Sequence, residues 1–565
     1  MIPEKLHLVR AGHVTRPMAL KLALAAALTV SAIPQAHAQF DTGGYTSAST
    51  PQARAQQADE QRKRAAAAGI EGANAAIAPI PELQVFAAVS LAETYTSNGA
   101  GTVGNSHYDF YTQPGLHLGA LEQSRRLMAS LNYSLTGQYH ARNHDLDQLI
   151  HQLNAMANAE LLEQTLFLDV QASARPQSLT RTGSLTAVDG TPTNNNYRNT
   201  YSYAARPTLM HQFGNAVETD IWFSQSGIFF VTPSSANTVP LPGFFRPPTN
   251  SNTSAIGARI SSLSDFVRLR WSLNASASDT YQSAHQSQKT RSALANFSYL
   301  ISDDFAIIGT GGYQTYHSSF LLTKDLDGPT LLGGFQFTPS PNFNFYVQAG
   351  TQNNFPTYIG ALTWDLSPLT TITARATDQV ETPQQGQLGD LQNLGGSLGN
   401  TPGPVSGGGS DSGLGGVSGG FLGSGLSLDN SIYRNRRIEA TITHALERTQ
   451  LSLGVYGTIR DRLDNIPSAP FLNRRNEVYG LRLAASRKIR RDLTGHAGFN
   501  ASRANEFNGH DRILEGNLGL SYNASQTLSL YGDASVLNRE SSGLVGFDNG
   551  SLTDVRVTVG IRKSF

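Results

Sequence analysis

Residues 555–565 read VRVTVGIRKSF. Val555, Val557, Val559, Ile561 and Phe565 fall on one parity; Arg556, Thr558, Gly560, Arg562 and Ser564 fall on the other. Successive side chains of an extended strand point to opposite faces, so the stretch predicts a strand with one apolar and one polar face. Lys563 interrupts the apolar face near its end, where a long side chain can carry its ammonium to an aqueous interface. A terminal aromatic on such a strand, here Phe565, is the feature by which barrel-assembly machinery recognises its clients.

The same period recurs upstream. LMASLNYSLTG (127–137) sets Leu127, Ala129, Leu131, Tyr133 and Leu135 against Ser130, Asn132, Ser134 and Thr136. TLFLDVQAS (165–173), FNFYVQAG (343–350) and LSLGVYGTIRDR (451–462) repeat the device. A soluble sandwich alternates in the same way, so the turns have to decide. One class is very short: LEQSRR, LEQT, GNA, SLSD, SDDF, TPSPN, DLSPLT, ALERTQ, IRRD and NASQT. The class between them is more variable and often longer. It includes 179–196, 231–252 and a Gly-rich stretch over 384–430.

Short turns on one side and long loops on the other are the habit of a bacterial outer-membrane barrel, with the short side periplasmic. About ten short turns, an isolated first strand near Leu83 to Tyr95 and the final strand predict an all-β, transmembrane, antiparallel barrel of about 22 strands, within 18–24. The barrel domain is expected over 82–565, with 384–430 as a long extracellular loop.

Composition agrees. Only 39% of the 565 residues are hydrophobic, yet there are 54 Gly, 20 Tyr and 25 Phe, a mixture that suits short strands. The absence of cysteine excludes a disulfide scaffold, a thiol nucleophile and a lipoprotein anchor. Lys and Arg balance Asp and Glu at 42 each, so nothing draws the chain to nucleic acid. At the amino-terminus Lys5, Arg10, Arg16 and Lys21 precede the apolar run 22–34 and the small-residue site Ala36-His37-Ala38. The pattern predicts a signal peptide over 1–38, cleaved after Ala38; the run is shorter than the roughly 20 residues a membrane helix needs. Residues 39–81 then form a flexible periplasmic tail with a short helix in PQARAQQADEQRKRAAAAGI.

The order of several words points to a family. VSLAETYTSNGAG (89–101), YDFYTQPGLHLGA (108–120), RRLMASLNYSLTGQYH (125–140) and LLEQTLFLDVQAS (161–173) resemble the opening of the β-barrel porin family found with PEP-CTERM/exosortase and exopolysaccharide loci. NRRIEATITHALERTQLSLGVYG (435–457) is similar to its arginine-led hairpin. Ser97 stands where that family usually carries an acidic residue, which argues against a cation there. The resemblance implies an outer-membrane porin-like protein in polysaccharide export or biofilm formation, with no catalytic residues to carry over.

The residues themselves offer no chemistry. The 14 His form no HExxH and no close ligand pair, and the Gly-rich stretch lacks the Lys-Ser/Thr of a phosphate loop, so no metal or cofactor is expected. If the apolar faces meet lipid, the opposite faces place Arg268, Arg270, Arg375, Arg437, Arg460, Arg462, Arg482, Arg556 and Arg562 in the lumen. Glu218, Asp220, Glu439, Glu515 and Asp533 join them. The expectation is a mainly basic lumen whose guanidinium forks suit carboxylate or phosphate groups on a passing polymer. Tyr346, Tyr456 and Tyr531 add flat surfaces for sugar rings. The bland alternative is that these charges pair across strands and fill space.

The leading expectation is therefore a channel for exopolysaccharide or its fragments, working with lipid, barrel-assembly machinery and periplasmic export components. A structural or adhesive barrel without conduction is the alternative. An enzyme would need a nucleophile with a base or a carboxylate pair near one rim, and none is found. A TonB-dependent receptor would need a plug domain, for which 39–81 is too short. Either 39–81 or 384–430 could occupy a wide pore.

Overall fold

The computed structural model describes residues 83–99, 107–124, 126–178, 197–231, 249–283, 286–318, 326–382, 385–386, 431–463, 475–506, 509–543 and 550–565. The expected signal peptide, the tail and almost all of 384–430 lie outside them.

Twenty-two strands form one sheet. They begin with β1 (Leu83–Thr96), β2 (Asp109–Gln123), β3 (Leu127–His140), β4 (Gln148–Leu162), β5 (Leu166–Ser178) and β6 (Tyr197–Phe213). Next come β7 (Val217–Val231), β8 (Ser251–Ser262), β9 (Leu269–Gln282), β10 (Gln286–Ser302), β11 (Phe305–Ser318) and β12 (Leu326–Ser340). The chain continues through β13 (Phe343–Gln352), β14 (Phe355–Ser367), β15 (Thr370–Glu381), β16 (Tyr433–Ala445) and β17 (Thr449–Arg462). It ends with β18 (Arg475–Lys488), β19 (Leu493–Glu506), β20 (Gly509–Asn523), β21 (Leu528–Ser542) and β22 (Gly550–Ser564). Among the described residues no helix is long and apolar enough to cross a membrane.

Each strand pairs antiparallel with the next, and β22 pairs antiparallel with β1 from Ala88 opposite Ser564 to Thr96 opposite Arg556. Closure leaves no unpaired edge. The predicted closing strand does close the sheet. The Phe565 amide donates to the Ala87 carbonyl at 2.8 Å. At the other end of the seam Asp554 Oδ1 accepts from Thr96 Oγ1 at 2.7 Å and from the Asn98 amide at 3.1 Å.

All ten predicted short turns fall at one end of the barrel, between β2 and β3 and so on to β20 and β21. Their chemistry is local. Gly214 takes φ +61° in the β6–β7 turn, a conformation glycine adopts without steric cost. Irregular register at Glu160/Leu162, Leu300/Ser302, Phe337/Ser340 and Asp365/Ser367 marks bulges beside these turns, as is usual at barrel rims. At the opposite end Asn353 and Asn354 both have positive φ and turn β13 into β14 in two residues.

Side chains on the convex outer face diverge and those on the concave inner face converge, so exposure separates the two. Val89 and Leu91, Leu116 and Leu118, Leu451 and Val455, and Val557, Val559 and Ile561 are exposed. Thr94, Gln113, Ser452, Thr458, Asp554 and Arg562 on the alternate parity are buried. The outside is thus apolar and the inside polar. Aromatics bound the apolar band. Near the short turns Phe305 stacks on Phe335, which meets Phe345 edge to face, and Phe343 meets Phe337 and Trp364 edge to face, with centroids 5.6–6.0 Å apart. Near the other end stand Tyr95, Phe110, Tyr139, Tyr281 and Tyr358. An apolar band between two aromatic girdles is the exterior of a membrane-spanning barrel. Lys563 reaches the β20–β21 turn, donating to Thr527 Oγ1 at 2.7 Å.

Candidate lumen wall

The inward face divides into arcs of different chemistry. Over β15–β22 it is charged. Arg375 stands opposite Glu439, and Glu439 opposite Tyr456. Arg482 stands opposite Asn500, and Asn500 opposite Glu515. His496 on β19 and Asp533 on β21 meet across β20 at 2.7 Å. Gly519 lies between them, and a Cβ there would strike both the Asp533 carboxylate and the His496 ring. Tyr456 lies against Gly480 and Tyr531 against Gly560 in the same manner. Glycine lets each ring lie close against the wall.

A second charged patch occupies β5–β9. Asp169 faces Arg206 in register, and Asp220 faces Arg259, with Glu218 beside it and Arg270 on β9. Between the two, β10–β13 carry no inward charge among the described residues. This arc is built of amides and hydroxyls. Tyr316 donates to Gln288 at 2.9 Å, Gln352 to Gln314 at 3.0 Å, Thr310 to Asn296 at 2.9 Å and Gln336 to Asn344 at 3.1 Å. Tyr346 stands opposite Gln336. Several groups here are buried without a protein partner: Gln288 Nε2, Gln314 Nε2, Thr330 Oγ1 and both ends of the Gln282 amide. Buried polar groups usually find partners, so this arc is packed and polar without being charged.

Toward the long-loop end several inward charges are buried or paired. Arg539 Nε donates to Asp511 Oδ1 at 2.8 Å with the side chains 1% and 2% exposed. Ser541 Oγ adds a bond to the same oxygen at 2.7 Å. Arg556 meets Asp554 at 2.6 Å, His140 meets Asp109 at 3.1 Å, and Arg460 and Arg462 flank the Tyr433 ring at 5.5 Å.

Of the residues singled out from sequence, Arg270, Arg375, Arg437, Arg460, Arg462, Arg482, Arg556, Arg562, Glu218, Asp220, Glu439, Glu515, Asp533, Tyr346, Tyr456 and Tyr531 lie on the inward parity. Arg268 stands just before β9. Strand β8 ends at Ser262, and Arg268 is exposed in the turn before β9, its carbonyl accepting from the Leu300 amide. That bond extends the β9–β10 ladder by one residue, so Arg268 keeps the inward parity of β9 at the short-turn rim. Alongside further inward arginines such as Arg206, Arg259 and Arg539, four more acids face inward: Asp109, Asp169, Asp511 and Asp554. Sequence reading passed over them, although the same two-residue parity in β2, β5, β20 and β22 places them.

Among the described residues no group of three or more His, Asp or Glu is placed to hold a metal ion. No protein-family model matches the chain, and no curated protein matches it in sequence. Solved structures do. The ferric enterobactin receptor of Pseudomonas aeruginosa aligns with 85% of this chain and 80% of its own, at 9% identity and TM-score 0.42. The FrpB iron transporter of Neisseria meningitidis aligns with 85% and 82%, at 9% identity and TM-score 0.43. OccAB3 of Acinetobacter baumannii aligns with 85% and 100%, at 9% identity and TM-score 0.34.

Proposed function

We propose that the chain is an outer-membrane channel that passes a hydrophilic, hydroxyl-rich solute without transforming it. The observation that carries this reading is the polar inner wall of a closed barrel whose outside suits lipid. The amide and hydroxyl wall of β10–β13 and the flat Tyr346, Tyr456 and Tyr531 rings suit sugar units. The inward charges of both signs suit a hydrated solute. The sequence resemblance to barrels of exopolysaccharide loci supports exopolysaccharide or its fragments as that solute, with periplasmic export components as partners. Phe565 supports delivery by barrel-assembly machinery.

A second reading, a structural or adhesive barrel without conduction, draws on the packed inward groups near the long-loop end, such as Thr94, Asp511 and Arg539. Planar-bilayer recording separates the two. Discrete conductance steps are expected from the refolded protein, and silence under conditions where a general porin conducts would discard the channel. Gene deletion with assay of surface polysaccharide tests the solute: unchanged export would remove that role and leave the channel standing.

A further inference from the structure

We propose that Arg503 and Arg512, on the outward face of β19 and β20, hold the phosphate of a lipid headgroup in the leaflet at the long-loop end of the barrel.

The two arginines are register partners on adjacent strands. Side chains so placed have Cβ atoms about 5 Å apart, and like charges directly opposite destabilise a sheet unless an anion joins them. Both face outward and are exposed. Toward the short turns the same face continues through the pairs Ala501–Leu514, Phe499–Gly516 and Ala497–Leu518. The pair therefore sits where the apolar band ends. Tyr479 lies opposite Arg503 on β18, and an amphipathic ring at that level marks the headgroup zone.

Nearby carboxylates match only one of the two charges. Glu477 accepts from Arg475 at 2.5 Å, from Asn505 at 3.5 Å and from the Tyr479 hydroxyl. Glu540 reaches Arg512 at 3.8 Å. Among the described residues Arg503 has no acidic partner. Outward arginines elsewhere on the same rim are matched: Arg291 by Asp279 at 2.9 Å, Arg434 by Asp378 at 2.5 Å and Arg436 by Asp461. The surplus is local to β19–β20. Two guanidinium forks can share the oxygens of one phosphate bidentately, and the apolar stripe below them accepts the acyl chains of the same molecule.

The test is binding of bisphosphorylated lipid A to the full-length protein in detergent, followed by intact-complex mass spectrometry and by titration. The dephosphorylated lipid, R503Q/R512Q and, as a remote control, R291Q are run alongside. Wild type and R291Q are expected to bind the phosphorylated lipid at least tenfold more tightly than the dephosphorylated one, and R503Q/R512Q to lose that preference. Equal affinity for the two lipids, or a preference kept in the double variant, overturns the proposal. Displacement by millimolar inorganic phosphate as effective as by the lipid itself would show an anion site without lipid and overturn it as well. Should the double variant fail to show heat-modifiable migration, a salt titration of wild type replaces it. Retention of the phosphorylated lipid must then fall as salt rises, and indifference to salt refutes the site.

Discussion

Removing Asp511 leaves the Arg539 guanidinium charged in one of the most buried positions of the wall. The two side chains are 1% and 2% exposed with 2.8 Å between Nε and Oδ1. Two unit charges about 4 Å apart at an effective dielectric of about 20 attract by about 4 kcal/mol. Stranding one member of a buried pair costs about 3–5 kcal/mol, because its desolvation is no longer offset. Asp511→Ala also strips an acceptor from Ser541. We therefore expect D511A to lose about 3–5 kcal/mol in equilibrium urea unfolding in phospholipid vesicles. The double variant D511L/R539M removes both charges and fills their space. It is expected to recover most of the loss, with a coupling energy of about 2–3 kcal/mol across the cycle. A D511A loss below about 1 kcal/mol, or a double variant no better than the sum of the singles, would refute the view that this pair is a desolvated unit.

Asp554→Ala removes the acceptor shared by Thr96, the Asn98 amide and Arg556 at the β1–β22 seam; a loss of about 2–4 kcal/mol is expected, read as a lower unfolding midpoint. Gly560→Val places branched atoms where the Tyr531 ring lies, and overpacking of about 1–3 kcal/mol should appear in the same unfolding assay while G532V, which faces outward, is milder. On the charged arc, E439Q/E515Q/D533N should move the reversal potential in a KCl gradient toward anions and R375Q/R482Q toward cations. A unit charge about 10 Å away in water is worth about 0.4 kcal/mol, roughly a twofold change in permeability ratio per charge. Opposite or absent shifts at low salt would show that ions do not pass this arc.

Strand count, direction and facing were legible in the sequence because each rests on local rules. A period of two assigns Tyr456 or Arg482 to a face without knowledge of any other strand, and ten turn-forming words fix ten hairpins. What no local rule supplies is the partner of each residue across the sheet.

What the sequence by itself determined is the closed antiparallel barrel, its polar interior and its apolar exterior, down to VRVTVGIRKSF as the last strand. What only the tertiary structure decided is which groups meet. His496 and Asp533 are 37 residues apart and join across Gly519. Arg503 faces Arg512 rather than an acid. Arg539 meets Asp511 from 28 residues away. Partnership depends on register, register on the length of every turn and bulge between two strands, and a slip of one residue would exchange every neighbour. Facing is a property of one strand, whereas electrostatics belongs to the sheet.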